Sequence, residues 1–120
     1  MAFAFEKLLV YQKAVDFADR IFQLTATFPR GYFFLSDQLN RAALSIPNNI
    51  AEGNGRFTKP DRKHFFGIAR GSTQECVPPM ELARRRGLVQ PGEHESLKAA
   101  LEEIARMLSG LINGLENRET

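Results

Sequence analysis

Apolar residues recur at spacings of three and four in four stretches of the chain, and no stretch alternates strictly between apolar and polar positions. A spacing of three and four places side chains on one face of an α-helix, whereas alternation would favour a β-strand. The pattern therefore predicts four amphipathic helices, over residues of about 5–28, 35–52, 59–86 and 93–115. Four such helices joined by short links are typical of an all-α, antiparallel up-down four-helix bundle, and residues 1–120 are expected to form a single domain.

Each predicted helix has an apolar stripe that should face the core of the bundle. The fourth helix has the clearest stripe, which consists of Leu97, Leu101, Ile104, Leu108, Leu111 and Leu115. The stripe of the second helix consists of Leu35, Leu39, Ala42, Ile46 and Ile50. Those of the first and third helices are Leu8, Tyr11, Val15, Ala18, Phe22 and Thr25, and Phe65, Ile68, Ala69, Ser72 and Cys76. Leu44, Phe66 and Val77 fall outside these stripes, which predicts a second buried surface, between subunits.

Several residues mark where the helices should begin and end. Ser36 is predicted to cap the N-terminus of the second helix, and Gly53 is predicted to end that helix with a positive φ. Thr58 and Pro60 predict the start of the third helix, because a hydroxyl caps an N-terminus and proline is favoured in the first turn. Gly87 should end the third helix.

Prolines interrupt two of the predicted helices. Pro47 cannot donate a hydrogen bond to the carbonyl of Ala43, so the second helix should bend there. Pro78 and Pro79 remove two helical donors. The third helix should therefore either kink or break at residues 78–79.

Polar residues of the second helix lie beside its apolar stripe instead of opposite it. They are Gln38, Arg41, Ser45, Asn49 and Glu52. At about 100° per residue they fall at the seam with a neighbouring helix, where half-buried polar groups need partners. If the second and third helices are antiparallel about a turn near residue 56, Arg41 should pair with Glu75 and Ser45 should lie near Gly67. Gly67 and Gly71 would then let the two backbones approach closely. Alternatively, Gln38 and Arg41 are simply solvated.

The net charge of +2 hides a gradient along the chain. Residues 56–86 carry eight basic and three acidic side chains, whereas residues 93–120 carry three basic and six acidic ones. A basic stretch can attract phosphate, and Phe66 could add stacking. The candidate nucleic-acid-binding residues are Arg56, Lys59, Arg62, Lys63 and Arg70. Alternatively, the stretch is a solvated face that contributes to pairing between subunits.

The sequence offers no arrangement typical of a catalytic or metal site. The segment 53–56 reads Gly-Asn-Gly-Arg, which lacks the Gly-Lys-Ser/Thr ending of a phosphate-binding loop and follows no strand. It therefore favours a helix end and a tight turn. His64, Cys76 and His94 lack the spacing of metal ligands. We therefore expect no metal, no cofactor and no catalytic residue.

Composition narrows the cellular setting. Apolar residues make up 43% of the chain and charged residues 25%, which is ordinary for a globular domain. No apolar run is long enough to span a membrane, so we expect no membrane partner. Cys76 is the only cysteine, so no internal disulfide can form. A cytoplasmic location is the expectation.

The second helix carries a motif that resembles a known protein family. Residues 38–56 read QLNRAALSIPNNIAEGNGR, which is similar to the pattern QLRRAAVSIPxNIAEGxGR. Phe65, Ile68-Ala69, Gly71-Ser72 and Glu75 continue the similarity, and segments 7–13 and 24–29 resemble its start. The pattern is that of the four-helix-bundle proteins encoded in intervening sequences of bacterial 23S ribosomal RNA genes. A relative of that family is the accessory variability determinant of diversity-generating retroelements.

The resemblance implies bundles that assemble side by side into a ring-shaped homopentamer, and it implies no established enzymatic activity. It also makes RNA or DNA a candidate partner, because the retroelement relative resembles a basic ring that binds nucleic acid. Two features depart from the pattern: Asn40 replaces a basic residue, and Pro78-Pro79 interrupt a helix that is commonly continuous. We therefore expect a non-enzymatic oligomeric interaction or scaffold protein. The alternative is a nucleic-acid-binding accessory factor that uses a basic surface of the third helix.

Overall fold

The computed structural model describes residues 3–117, and the side chains up to residue 116. All regular structure in this part of the chain is helical, which confirms the predicted all-α class. A short 3-10 helix, Ala4–Lys7, precedes five α-helices. These are α1 (Leu9–Thr25), α2 (Phe33–Asn54), α3 (Lys59–Glu75), α4 (Val77–Arg85) and α5 (Pro91–Asn117). None of the helices in the described residues combines the length and apolar character that a membrane span requires.

The first helix is shorter at both ends than its apolar pattern suggests. Leu8 has an extended backbone, with φ of −72° and ψ of 126°, and it separates the 3-10 helix from α1. At the other end, the amide of Phe28 donates to the carbonyl of Thr25 in a tight turn. Gly31, with φ of 105°, then reverses the chain into α2.

The start and end of α2 correct two predictions. The helix begins three residues before Ser36, whose hydroxyl donates back to the carbonyl of Tyr32 and caps nothing. The helix also runs through Gly53 to Asn54, and Gly53 has no positive φ. A Cβ at Gly53 would lie 2.8 Å from the ring of Phe66 on α3. Glycine is therefore needed here because a ring packs against the backbone, and not because the helix ends.

The start of α3 follows the predicted cap. The Thr58 hydroxyl accepts a hydrogen bond of 3.2 Å from the backbone amide of Asp61, and Pro60 lies in the first turn. The carboxylate of Asp61 also lies where the helix dipole favours negative charge. This combination fixes the position at which the chain re-enters the bundle.

The third predicted helix is divided at Cys76 into α3 and α4, two residues before Pro78. Pro78 and Pro79 cannot donate to the carbonyls of Gln74 and Glu75, so two consecutive helical hydrogen bonds are missing at this point. Cys76 keeps helical angles, with φ of −72° and ψ of −25°, and its amide still donates to Ser72. The interruption is therefore a kink between two consecutive helices.

The end of α4 is the glycine-terminated end that the sequence predicts. Gly87 has φ of 74°, which ordinary side chains avoid. The amide of Gly87 donates to the carbonyl of Arg84, and that of Leu88 donates to the carbonyl of Ala83. These two bonds form a Schellman motif, which satisfies carbonyls that the helix would otherwise leave unpaired.

The core confirms the predicted stripes of α2 and of the first four positions on α5. It corrects the stripes of α1 and α3. On α3 the buried aromatic residue is Phe66, which is 3% exposed, whereas Phe65 is half-buried and Ile68 is exposed. On α1, Val15 and Phe22 are exposed. The residues that α1 does bury are Val10, Ala14, Phe17, Ala18, Ile21 and Thr25.

Candidate interaction surfaces

Three polar side chains form a hydrogen-bonded cluster between α2 and α3. The Ser72 hydroxyl on α3 lies 2.7 Å from the Ser45 hydroxyl on α2. The Asn49 amide donates both to that Ser45 hydroxyl, at 3.0 Å, and to the Ser45 carbonyl, at 2.8 Å. Ser72 is 2% exposed, so its hydroxyl needs these partners to offset its burial. The predicted polar seam is therefore present at Ser45 and Asn49.

The outer members of the predicted seam are solvated. Gln38, Arg41, Glu52 and Glu75 are all exposed. The predicted pairing of Arg41 with Glu75 is wrong, because the Arg41 guanidinium pairs at 3.0 Å with Asp37, one turn earlier on α2. Arg41 and Glu75 nevertheless line one open cleft beside the kink. The cleft is formed by Gln38, Arg41, Ala42, Glu75, Pro78 and Pro79.

The alignment of α2 with α3 also differs from the expected one. Ser45 lies opposite Ser72 and not Gly67, so α3 is displaced by about one and a half helical turns. Gly67 and Gly71 have open space around them and do not bring the backbones together. The close contact of the two helices occurs instead where Phe66 packs on Gly53.

Arg56 lies at the link between α2 and α3 and is held by two neighbours. Its guanidinium carbon lies 4.5 Å from the centre of the Phe65 ring, and it forms an ion pair with Glu52. A cation over an aromatic face gains electrostatic attraction, while the guanidinium edge stays available to other acceptors. Phe57, the next residue, is fully exposed.

The other candidate nucleic-acid-binding residues follow α3, and two of them contact α5. Lys63 pairs at 2.6 Å with Glu116, and Arg70 donates at 2.7 Å to the Ser109 hydroxyl. Lys59 and Arg62 are half-buried. The basic residues therefore do not form one freely exposed patch, since acidic and hydroxyl groups of α2 and α5 occupy several of them.

An ionic cluster between α4 and α5 was not predicted. The Glu81 carboxylate accepts hydrogen bonds from Arg84 and Arg85, and His94 of α5 lies 3.7 Å away. The hydrogen bonds from Arg84 and then Arg85 lower the pKa of Glu81 to about 2. The signal in the sequence is the spacing of three and four residues between this glutamate and the two arginines.

Cys76 and His64, which are potentially reactive, lie in surroundings that indicate structural roles. Burial raises the pKa of the Cys76 thiol to about 12, so this cysteine is a core residue and not a nucleophile. His64 is exposed and contacts the edge of Phe65. Within residues 3–117, no three His, Cys, Asp or Glu side chains are grouped so that they could hold a metal ion.

The arrangement of helices and the motif on α2 agree with the result of sequence comparison. The family described as 23S rRNA-intervening sequence protein matches residues 6–110 of this chain. The chain belongs to this family. No curated protein matches the sequence.

Solved structures similar to this 23S rRNA-intervening sequence protein include one from Bacteroides thetaiotaomicron VPI-5482. That crystal structure is of a protein of unknown function from the S23 ribosomal protein family. It is 27% identical to this chain, with a TM-score of 0.81. The similarity covers 87% of this chain and 98% of the other.

The structure explains why several residues of the α2 motif, which carries the resemblance to the intervening-sequence family, are of their particular types. Ser45 and Asn49 form the buried polar cluster, and Gly53 makes room for Phe66. Asn40, where the family pattern has a basic residue, accepts a hydrogen bond of 2.8 Å from Thr25 of α1. The residues that resemble the family most closely therefore position α2 against its neighbours.

Proposed function

We propose that this protein is a non-enzymatic interaction protein that works as a homopentameric ring of helical bundles. The observation that carries the proposal is the set of large apolar side chains exposed on α1 and α2. Val15 and Phe22 are seven residues apart and share a face of α1, while Phe33 and Leu44 share a face of α2. Exposed apolar patches of this kind mark protein–protein contacts.

The apolar residues of the two helices meet at the link between α1 and α2. Phe22, Arg30 and Phe33 line the same cleft. Phe33 is 80% exposed, which is unusual for a phenylalanine that has no partner. A neighbouring copy that covered this face would remove the aromatic surface from water and account for the exposure.

The proposal includes an antiparallel order of the main helices. Lys13 pairs with Glu103 at 2.6 Å, whereas Arg20, further along α1, donates at 2.9 Å to Ser96, which lies earlier on α5. The residue that lies later on α1 contacts the residue that lies earlier on α5, which supports antiparallel directions for these two helices. Bundles with this order have compact ends and long side faces, and the side faces can pack around a ring axis.

Measurement of the mass in solution tests the proposal. Light scattering coupled to gel filtration should give five times the protomer mass of 13.5 kDa. The double variant Phe22→Ser/Phe33→Ser should lower that mass, because it removes the apolar contact surface. Phe57→Ser changes a phenylalanine that is also exposed but lies on the α2–α3 link, so it serves as the matched control. A monomer at micromolar concentration would contradict the proposal.

A second candidate function is binding of RNA or DNA, and the surroundings of Phe57 favour it. This fully exposed ring follows Arg56 directly and precedes Lys59, which places an aromatic face between two cations. Unpaired bases stack on such faces, and the cations attract phosphate. The cytoplasm, where both kinds of nucleic acid would be available, is the location we propose.

Filter binding of ribosomal RNA fragments at two salt concentrations tests this candidate. Phe57→Ala should weaken binding without changing its salt dependence, because stacking releases no counterions. Arg56→Ala should reduce the slope of log affinity against log salt by about 0.7 if it contacts one phosphate of a single strand. Equal affinity of wild type and both variants would leave the interaction role as the better explanation.

A further inference from the structure

A shallow apolar groove crosses the surface where α1 begins and α5 nears its end. Two neighbouring cavities of about 220 and about 320 Å³ share Leu8, Gly110 and Leu111 as lining residues. Gly110 is exposed, and a Cβ built on it would meet nothing within 4 Å. We call this feature the Gly110 groove.

One end of the Gly110 groove is wholly apolar in its side chains. Leu9, Val10 and Met107 complete its lining there, and Leu9 is exposed. From Met107 to Leu115 the groove follows α5 for about 12 Å, at 1.5 Å per residue. This end is therefore a shallow apolar strip, and the described residues that line it carry no side-chain hydrogen-bonding group.

The other end of the groove is polar and carries the positive charge of Arg62. Arg62 and Asn54 line it, beside Phe66 and Gly114. The Nε atom of Arg62 is buried and has no hydrogen-bond partner among the described residues. No ion pair links this guanidinium to a carboxylate within residues 3–117, in contrast to Lys63, which pairs with Glu116. A guanidinium that has no carboxylate partner attracts an anion, so a ligand that supplies a carboxylate gains affinity.

We propose that the Gly110 groove binds an aliphatic carboxylate, a single acyl chain with an anionic head. The chain would lie along Gly110 and Leu111, and the carboxylate would accept hydrogen bonds from the Arg62 guanidinium and the Asn54 amide. A guanidinium fits the two oxygens of a carboxylate, and the apolar channel fits a chain that needs no hydrogen bonds.

Other occupants match the groove less well. An extended peptide would place some of its backbone amides against Leu, Val and Met side chains, which offer those amides no hydrogen-bond partner. Among the described residues that line the groove, Arg62 is the one cation, which gives nucleic acid little charge to bind. An acyl chain with one charged end is complementary both to the apolar walls and to Arg62.

Titration calorimetry of the full chain with decanoate, kept below its micelle-forming concentration, tests the proposal. Decanoate should bind more tightly than octanoate, by about fourfold for each additional buried methylene. Arg62→Gln should weaken decanoate roughly tenfold and leave decanol unchanged, because only the carboxylate uses the guanidinium. Lys63→Gln removes one charge from the same helix without touching the groove, so it should bind decanoate as the wild type does.

Gly110→Leu provides a second and independent variant. The leucine would fill the groove from α5 without a clash at its Cβ, so the protein should fold, melt at or above the wild-type temperature, and lose decanoate binding at least tenfold. Gly67→Leu, on open surface of α3, is the matched control and should bind normally.

Three results would overturn the proposal. Equal binding of decanoate and decanol, unaffected by Arg62→Gln, would show a nonspecific apolar patch. A change of oligomer mass in Gly110→Leu would instead identify the groove as a contact between copies of the chain. Absence of heat and of any shift in amide resonances with decanoate would exclude the ligand class.

Discussion

The two edges of α3 meet their neighbours through different chemistry. Toward α2 the contacts are short, uncharged and buried: the Ser72 hydroxyl reaches Ser45, and Phe66 packs on Gly53. Toward α5 they include exposed contacts of long charged side chains, such as the pair of Lys63 with Glu116. Buried contacts between small groups fix the position of one helix against another, whereas exposed ion pairs contribute little and can be exchanged for a partner.

The largest expected effect tests the contact between Gly53 and Phe66. Gly53→Ala should lower the free energy of unfolding by about 1–3 kcal/mol, because its Cβ would lie 2.8 Å from the Phe66 ring. Urea denaturation measures the loss. Adding Phe66→Leu should recover part of it by removing the ring. Gly67→Ala is the control, and it should raise stability by up to about 1 kcal/mol because its Cβ enters open space.

A smaller loss tests the polar cluster on the same edge. Ser72→Ala should cost about 1 kcal/mol, because it removes a buried hydrogen bond while Ser45 keeps its bond to Asn49. Denaturation of Ser72→Ala and Ser45→Ala, alone and combined, should show coupling between the two sites. Additive losses would mean that the hydroxyl pair contributes nothing beyond its separate contacts.

The pH dependence of stability separates charged contacts from uncharged ones. The pKa of Glu81 falls from an ordinary value of 4.5 to about 2 in the folded protein. Its carboxylate form therefore stabilises the fold above pH 4.5, and this contribution is lost as the pH falls from 4.5 toward 2. Glu81→Gln should reduce the loss of stability across that range. A pH profile of stability that is unchanged in Glu81→Gln would contradict the stabilising role of the Glu81 cluster. Ser72→Ala is the control, and it should leave the pH profile of stability unchanged.

The smallest effect is expected on the α5 edge of α3. Lys63→Ala and Glu116→Ala should each change the free energy of unfolding by less than about 0.5 kcal/mol, because the pair is exposed on both sides. A double-mutant cycle in low and high salt measures their coupling. A coupling as large as that between Ser45 and Ser72 would remove the contrast between the two edges.

The helices themselves could be predicted because their apolar residues follow the helical period over many turns. The choice of face on α3 could not. Phe65 fits the stripe that continues through Ala69, Ser72 and Cys76, whereas Phe66 falls outside it, so periodicity selects the aromatic residue that the structure does not bury. The contact of Phe66 with Gly53 decides between them, and that contact depends on the tertiary alignment of two helices.

The same limit applies to the candidate site. The polar residues of α2 could be placed at a seam by their angles, and Ser45 and Asn49 do lie there. Their partners depend on the axial position of α3 relative to α2. A helical wheel gives only angles around one helix, so it does not determine that position. Arg41 accordingly pairs within its own helix, with Asp37. Local spacing does encode the contacts of Glu81 with Arg84 and Arg85.

The core divides within α4, between Met80 and Ala83. Cys76 and Met80 belong to the main apolar cluster, whereas Ala83 belongs to a smaller one with Leu35 and Val89. A segment that rests on a small cluster can open while the main cluster stays closed. Backbone amides beyond Met80 on α4 should then exchange with deuterium through a local opening, at a lower free energy than those of α3. The bundle would thus unfold in two steps of unequal size, with the end of α4 beyond Met80 opening first.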